Sequence, residues 1–152
     1  MIINWDQYFM GVASLSRLRS KDPNTQVGAC IVNERKRIIG IGYNGFPFGV
    51  EDTDFPWQQD GAFLDSKYAY VVHAEANAIL NATTSLLDAT LYVNLFPCNE
   101  CAKLIIQSGI KEVVYASDKY ADKEFTIASK RMFEAANVKL RQVAEVDVDI
   151  KL

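Results

Sequence analysis

Between Trp5 and Leu18 the apolar residues Trp5, Tyr8, Phe9, Val12, Leu15 and Leu18 recur at three- and four-residue intervals, which predicts an amphipathic helix with these side chains on one face. Lys21, Asp22, Pro23 and Asn24 then predict a turn, because proline fixes its own φ and disfavours helix in the residue before it. Val27–Asn33 and Arg37–Tyr43 are rich in β-branched residues and are separated by the charged link Glu34–Lys36, the pattern of a hairpin. Asn44–Pro56 carries Gly45, Pro47, Gly49 and Pro56 and has no apolar period. It predicts a long loop, and long loops in compact folds often carry function.

Beyond that loop, helix and strand patterns alternate. His73–Asn81 predicts a helix, Thr90–Asn94 a strand, and Cys98–Ser108 a helix ended by Gly109. Glu112–Ala116 comes next as a strand, then Lys123–Ala136 as a helix and Val138–Val143 as a last strand. A hairpin followed by such alternation predicts an α/β fold in three layers, α/β/α, around a five-stranded mixed sheet, since parallel neighbours need crossover connections.

At 152 residues and 49% hydrophobic content, the chain is expected to form one domain over 1–152. No run of about 18 apolar residues predicts a membrane span, and Met1–Met10 lacks the basic and apolar parts of a signal peptide, so the expected location is cytoplasmic. The net charge is -3, from 16 basic and 19 acidic residues spread along the chain. Such a surface offers no broad cationic field for a nucleic-acid backbone, and a small substrate is favoured. Cys30, Cys98 and Cys101 are too few, and odd in number, for a disulfide framework; the close pair points to metal or redox chemistry.

The strongest chemical signal is His73-Ala74-Glu75 followed by Pro97-Cys98-Asn99-Glu100-Cys101. Cys98 and Cys101, three residues apart, project from one face of a helix's first turn, where the helix dipole favours thiolate over thiol. Pro97 suits a helix start. His73, also at a helix start, supplies a third ligand. Three protein ligands leave a tetrahedral zinc open to water, whereas structural sites usually close with four. Zinc lowers the pKa of that water to about 7, and Glu75 beside it is positioned to carry protons to a ring nitrogen and a departing amine. His-x-Glu with Pro-Cys-x-x-Cys is the signature of zinc nucleobase deaminases.

With these residues in view, the chain resembles the deoxycytidylate (dCMP) deaminases within the zinc-dependent cytidine and deoxycytidylate deaminase family. The matching stretches are Ser20–Ala29, Gly40–Gly45, His73–Ile79, Leu95–Lys103 and Ser117–Tyr120, so the resemblance covers nearly the whole length. It implies the cytidine deaminase-like fold and hydrolysis of dCMP to dUMP and ammonia, feeding thymidylate synthesis. It places the base over zinc against Val27 and the Ala74 backbone, Asn24 at the sugar and Tyr120 near the phosphate. Ser20 and Lys21, in the first turn, are candidate donors to that phosphate. The resemblance further implies a homo-oligomer, often a hexamer, activated by dCTP and inhibited by dTTP with Mg2+. The effector loop would run from Tyr43 through Asn44, Gly45, Phe46 and Gly49 to Val50, its glycines admitting phosphate to backbone amides. Phe48 departs from the pattern, standing where relatives often carry Arg or another polar residue. No second, structural zinc is expected.

Ordinary explanations exist for each of these residues. Cys98 and Cys101 alone would also suit a structural zinc knuckle or a redox pair, though His73 and Glu75 would then go unexplained. Cys30 suits a buried core thiol, Lys21 a solvated lysine, Asn24 a turn former and Tyr120 a core aromatic. Other targets for the same chemistry are a free base, a nucleoside or adenosine in transfer RNA, and a non-catalytic effector-binding module is a further alternative.

Overall fold

The computed structural model describes residues 1–152. Helix α1 (Trp5–Arg17) leads into the antiparallel strands β1 (Gly28–Val32) and β2 (Ile38–Tyr43). Two short 3-10 turns, Phe63–Asp65 and Lys67–Ala69, precede α2 (Ala74–Asn81). Then β3 (Thr90–Leu95), α3 (Asn99–Gln107), β4 (Glu112–Ser117), α4 (Glu124–Ala135) and β5 (Lys139–Gln142) alternate. The five strands form one sheet in the order β2-β1-β3-β4-β5, with β1 antiparallel to both neighbours and β3, β4 and β5 parallel. The predicted mixed sheet and three layers are therefore present, with element ends within about one residue of expectation. No helix is long and apolar enough to cross a membrane.

The larger core packs α2, α3 and α4 onto one sheet face through Ala78, Ala102, Ile105 and Phe133 against Ile31, Leu91 and Val113. On the other face lie Phe9, Met10 and Ala13 of α1 against Cys30, Tyr92 and Val114. Central strand β1 is buried along its whole length. That explains its β-branched composition and makes Cys30 the core thiol that its apolar setting suggested, with burial pushing its pKa up to about 12.

Helix α1 corrects one expectation. Of the predicted face, Phe9 is buried and Val12 packs at the core edge, but Trp5, Tyr8, Leu15 and Leu18 are exposed. The buried residues are Phe9, Met10, Ala13 and Ser14. Close approach decides this orientation: a Cβ on Gly28 would lie 1.9 Å from the Ala13 carbonyl oxygen, so the small residues of α1 face the glycine end of β1. Buried Asn94 ties the two together, its Oδ1 accepting the Gly28 N–H at 2.8 Å and its Nδ2 donating to Ser14 Oγ at 3.0 Å.

Strand pairing brings one end of the sheet into register as a platform. Gly28 of β1 lies opposite Tyr43 of β2, Ala29 opposite Val93 of β3, and Leu95 beside Ser117 of β4. The chain thus leaves β2, β3 and β4, and enters β1, at the same edge. This is the end at which α/β sheets gather ligand-binding loops.

Helix α2 sits unusually near this platform. A Cβ on Gly42 would come within 2.4 Å of the Ala78 nitrogen and 2.5 Å of the Ala74 carbonyl oxygen. Asn77 Nδ2 donates to the Tyr43 carbonyl at 2.8 Å and Asn81 Nδ2 to the Ile41 carbonyl at 2.7 Å, fixing the helix along the strand. Gly42→Ala must displace backbone and is expected to destabilise the fold by roughly 2–3 kcal/mol. Gly11→Ala, whose Cβ would meet only Val146 at 3.6 Å, is expected to be neutral or to stabilise α1 by up to about 1 kcal/mol. Urea unfolding of the two variants checks the opposite signs.

Candidate metal centre and reaction cavity

His73 is the N-cap of α2 and Cys98 the N-cap of α3, one position ahead of the first-turn placement expected from spacing. Neither side chain is used to cap its helix, so each is free to face the other. His73 Nδ1 lies 3.5 Å from Cys98 Sγ and 3.4 Å from Cys101 Sγ. The three ligand atoms fall within 4.8 Å of one another, and no other side chain joins this group. Two sulfurs and an imidazole nitrogen at the positive ends of two helices form a donor set that suits zinc.

The electrostatics agree with that donor set. The Cys101 thiol and the His73 ring hold Cys98 below the usual thiol range, while Cys101 is pushed up because it donates to Cys98. His73 is raised by its hydrogen bond to Cys98, against the opposing effect of burial. One thiolate is thus already favoured before any cation enters, and a cation in place of the shared proton would release the second. Glu75, in the first turn of α2, is buried beside the trio without joining it, and desolvation pushes its carboxyl up to about 7.

His73, Glu75 and Cys98 line a cavity of about 570 Å³ at the platform end of the sheet, with Cys101 buried behind them. Of the predicted substrate residues, Val27, Ala74 and Tyr120 line it, together with Asn44 from the loop. Ser20, Lys21 and Asn24 do not. Ser20 is buried in the turn, where its Oγ accepts the Asp22 N–H and its carbonyl accepts from Gln26. Lys21 points to Asp52, and the Asn24 N–H donates to Asp22 Oδ1 at 2.8 Å. Tyr43, Asn44, Gly45, Phe46 and Gly49 come together instead around a second recess of about 180 Å³, which Arg19 and Lys21 also line. Phe48 lies on its rim, fully exposed, and Phe46 stacks on Trp57 with ring centroids 4.0 Å apart.

Several cavity residues have no counterpart in the sequence reading. Lys67 Nζ meets Asp22 Oδ2 at 2.6 Å in a buried ion pair on the cavity wall. Asp22 also accepts the N–H groups of Asn24 and Thr25, and Asn44 Nδ2 reaches its Oδ2 at 3.5 Å. Only Asp22 carried a local signal, as a turn residue; Lys67 lies in a stretch without apolar period. Asn99 and Lys123, each beside a helix start, join Thr25 and Gln59 in the polar lining.

Residues 3–117 match the family model described as the cytidine and deoxycytidylate deaminase zinc-binding region. The chain is 55% identical over 142 residues to the human deoxycytidylate deaminase, covering 92% of this chain and 80% of that protein. It is 56% identical over 147 residues to a probable deoxycytidylate deaminase of Drosophila melanogaster, covering 92% and 72%. Among solved structures, the dCMP deaminase of cyanophage S-TIM5 in complex with dCMP and dUMP superposes with a TM-score of 0.74 at 24% identity, covering 94% of this chain and 99% of that one. The last likeness bears on the fold, which is the three-layer arrangement described above. The chain belongs to the cytidine and deoxycytidylate deaminase family.

Proposed function

We propose that this chain is a zinc-dependent hydrolase that converts dCMP and water to dUMP and ammonia, supplying dUMP for thymidylate synthesis in the cytoplasm. The observation that carries this reading is the His73, Cys98 and Cys101 trio with buried Glu75 beside it, at the floor of a nucleotide-sized cavity. The sequence identity to deoxycytidylate deaminases supports the choice of substrate.

His73, Cys98 and Cys101 would hold the ion. Zinc bound there supplies Lewis acidity that makes water a nucleophile at neutral pH. Glu75, kept from solvent, takes a proton from that water, places it on ring nitrogen N3 and delivers the second to the departing amine, so that ammonia leaves as a neutral molecule. Val27 and Ala74 wall the base, and Tyr120 stands further along the cavity where the sugar and phosphate extend. Ser20 and Asn24 support the binding turn from behind, through their bonds to Asp22.

The second recess supports a regulatory role. Arg19 gives it positive charge, Lys21 being paired there with Asp52, and Gly45 and Gly49 leave backbone accessible to phosphate oxygens. It would take dCTP as activator and dTTP as inhibitor, with Mg2+ on the triphosphate, in a homo-oligomer with two states of different affinity.

Glu75→Gln is expected to retain zinc and lose about 10² to 10⁴ in turnover; metal analysis beside a dCMP assay checks both, and a near-normal rate would falsify the proton-carrier role. Chelation should abolish activity and added zinc restore it. Turnover should favour dCMP over deoxycytidine and dCTP, and equal rates on deoxycytidine would remove the nucleotide assignment. Rate against dCMP concentration should be sigmoidal, straightened by dCTP and depressed by dTTP. A hyperbola indifferent to both triphosphates would leave the second recess without this role.

A further inference from the structure

The reaction cavity has two cations in its wall, and their situations differ. Lys67 is buried and neutralised by Asp22 at 2.6 Å. A buried pair of this kind is locked, since withdrawing either member strands a charge in a desolvated site. Lys123 lines the same cavity from its exposed rim and makes no ion pair or side-chain hydrogen bond. It is the N-cap residue of α4 and provides no side-chain cap there. The first amides of that twelve-residue helix add positive potential beside its ammonium group, offset in part by Glu124 in the same turn.

Backbone bonds hold Lys123 next to Tyr120. The Lys123 N–H donates to the Tyr120 carbonyl at 3.0 Å, and the Ala121 N–H to the Asp118 carbonyl at 3.0 Å, closing a tight turn after β4. Both side chains line the cavity, and the Lys119 ammonium lies 5.1 Å from the Tyr120 ring centroid. The chemistry at the floor needs only a pyrimidine ring. A phosphate carried on the same molecule needs a positive charge not already matched by a carboxylate, and Lys123 is the one lining side chain that meets this requirement.

We infer that Lys123 is a specificity-determining residue that pairs with the 5′-phosphate of the substrate, so that it separates nucleotide from nucleoside while Glu75 and the metal ligands treat the base of both alike. This rests on the proposed deamination of dCMP. The pair sits at a rim open to solvent, so its contribution is partly screened.

The experiment compares Lys123→Gln and Lys123→Arg with the unaltered protein on dCMP and on deoxycytidine. The expected result is a KM for dCMP raised roughly ten-fold in Lys123→Gln, the scale of one charge-assisted hydrogen bond at a partly exposed site. Its kcat should hold within about two-fold, as expected for lost uniform binding, and Lys123→Arg should restore most of the affinity. The kcat/KM for deoxycytidine should be unmoved. A KM for dCMP unchanged in Lys123→Gln, or an equal loss on both substrates, would overturn the assignment. Calorimetry with dUMP and deoxyuridine keeps this question apart from the reaction itself. If the unaltered protein turns over no dCMP, the proposed reaction fails, yet weaker dUMP binding by Lys123→Gln with deoxyuridine unaffected would still support Lys123, and equal dUMP affinity would overturn it.

Discussion

Three ligand atoms on two helices have to meet within 4.8 Å, and most of the architecture around the site serves that convergence. His73 and Cys98 each occupy the position before a helix, where the backbone is still extended and the side chain is not committed to the helix surface. For both to face one point, α2 and α3 must start at the same end of the sheet. The order β2-β1-β3-β4-β5 meets that condition, because α2 rests along β2 and α3 continues directly from β3. The glycine surface of β2 and the two asparagine bonds of α2 then set the helix at a fixed depth. An error of one residue in the start of α2 would turn Glu75 by about 100° around the helix, away from the metal trio.

Charge at the platform end is divided by burial. Glu75 and the Asp22–Lys67 pair are both hidden from water but solve desolvation differently. Asp22 is surrounded by donors from Asn24, Thr25, Asn44 and Lys67 and acts as a structural knot for the turn between α1 and β1. Glu75 has no lysine or arginine against it, and burial raises its pKa against the opposing charge of His73. Two buried acids lining one cavity thus differ because Asp22 is locked in an ion pair with a lysine and Glu75 is not.

Much of this arrangement is legible in the chain itself. The strands and the helices after residue 70 are given by periodicity and by Gly109, and the metal trio with Glu75 by the spacing of His73, Glu75, Cys98 and Cys101. Two kinds of information are hidden from such a reading. The burial face of α1 depends on how closely Ala13 approaches Gly28, a contact between residues 15 positions apart that no local hydrophobic pattern records. Lys67 acquires meaning only through Asp22, which lies 45 residues away in the sequence. The first-turn residues Ser20, Lys21 and Asn24 are near the cavity in sequence terms, but Ser20 is buried in the knot at Asp22, Asn24 stays exposed with its backbone N–H tied to Asp22, and Lys21 lies on the other recess.

On the proposed reading, C–N chemistry and phosphate recognition fall to different parts of the fold. His73, Glu75, Cys98 and Cys101, the residues proposed for metal and proton, sit at the starts of α2 and α3. Tyr120 and Lys123 lie after β4, in the turn that leads into α4. A hydroxide-forming ion and a proton carrier need rigid placement, which the sheet and two seated helices provide. Recognition of a flexible phosphate tolerates a looser frame, so a short turn and the rim of a helix suffice. The proposed division therefore leaves the turn and helix after β4 to set which 5′ group is accepted, while the residues assigned to C–N cleavage are held by the packing beneath them.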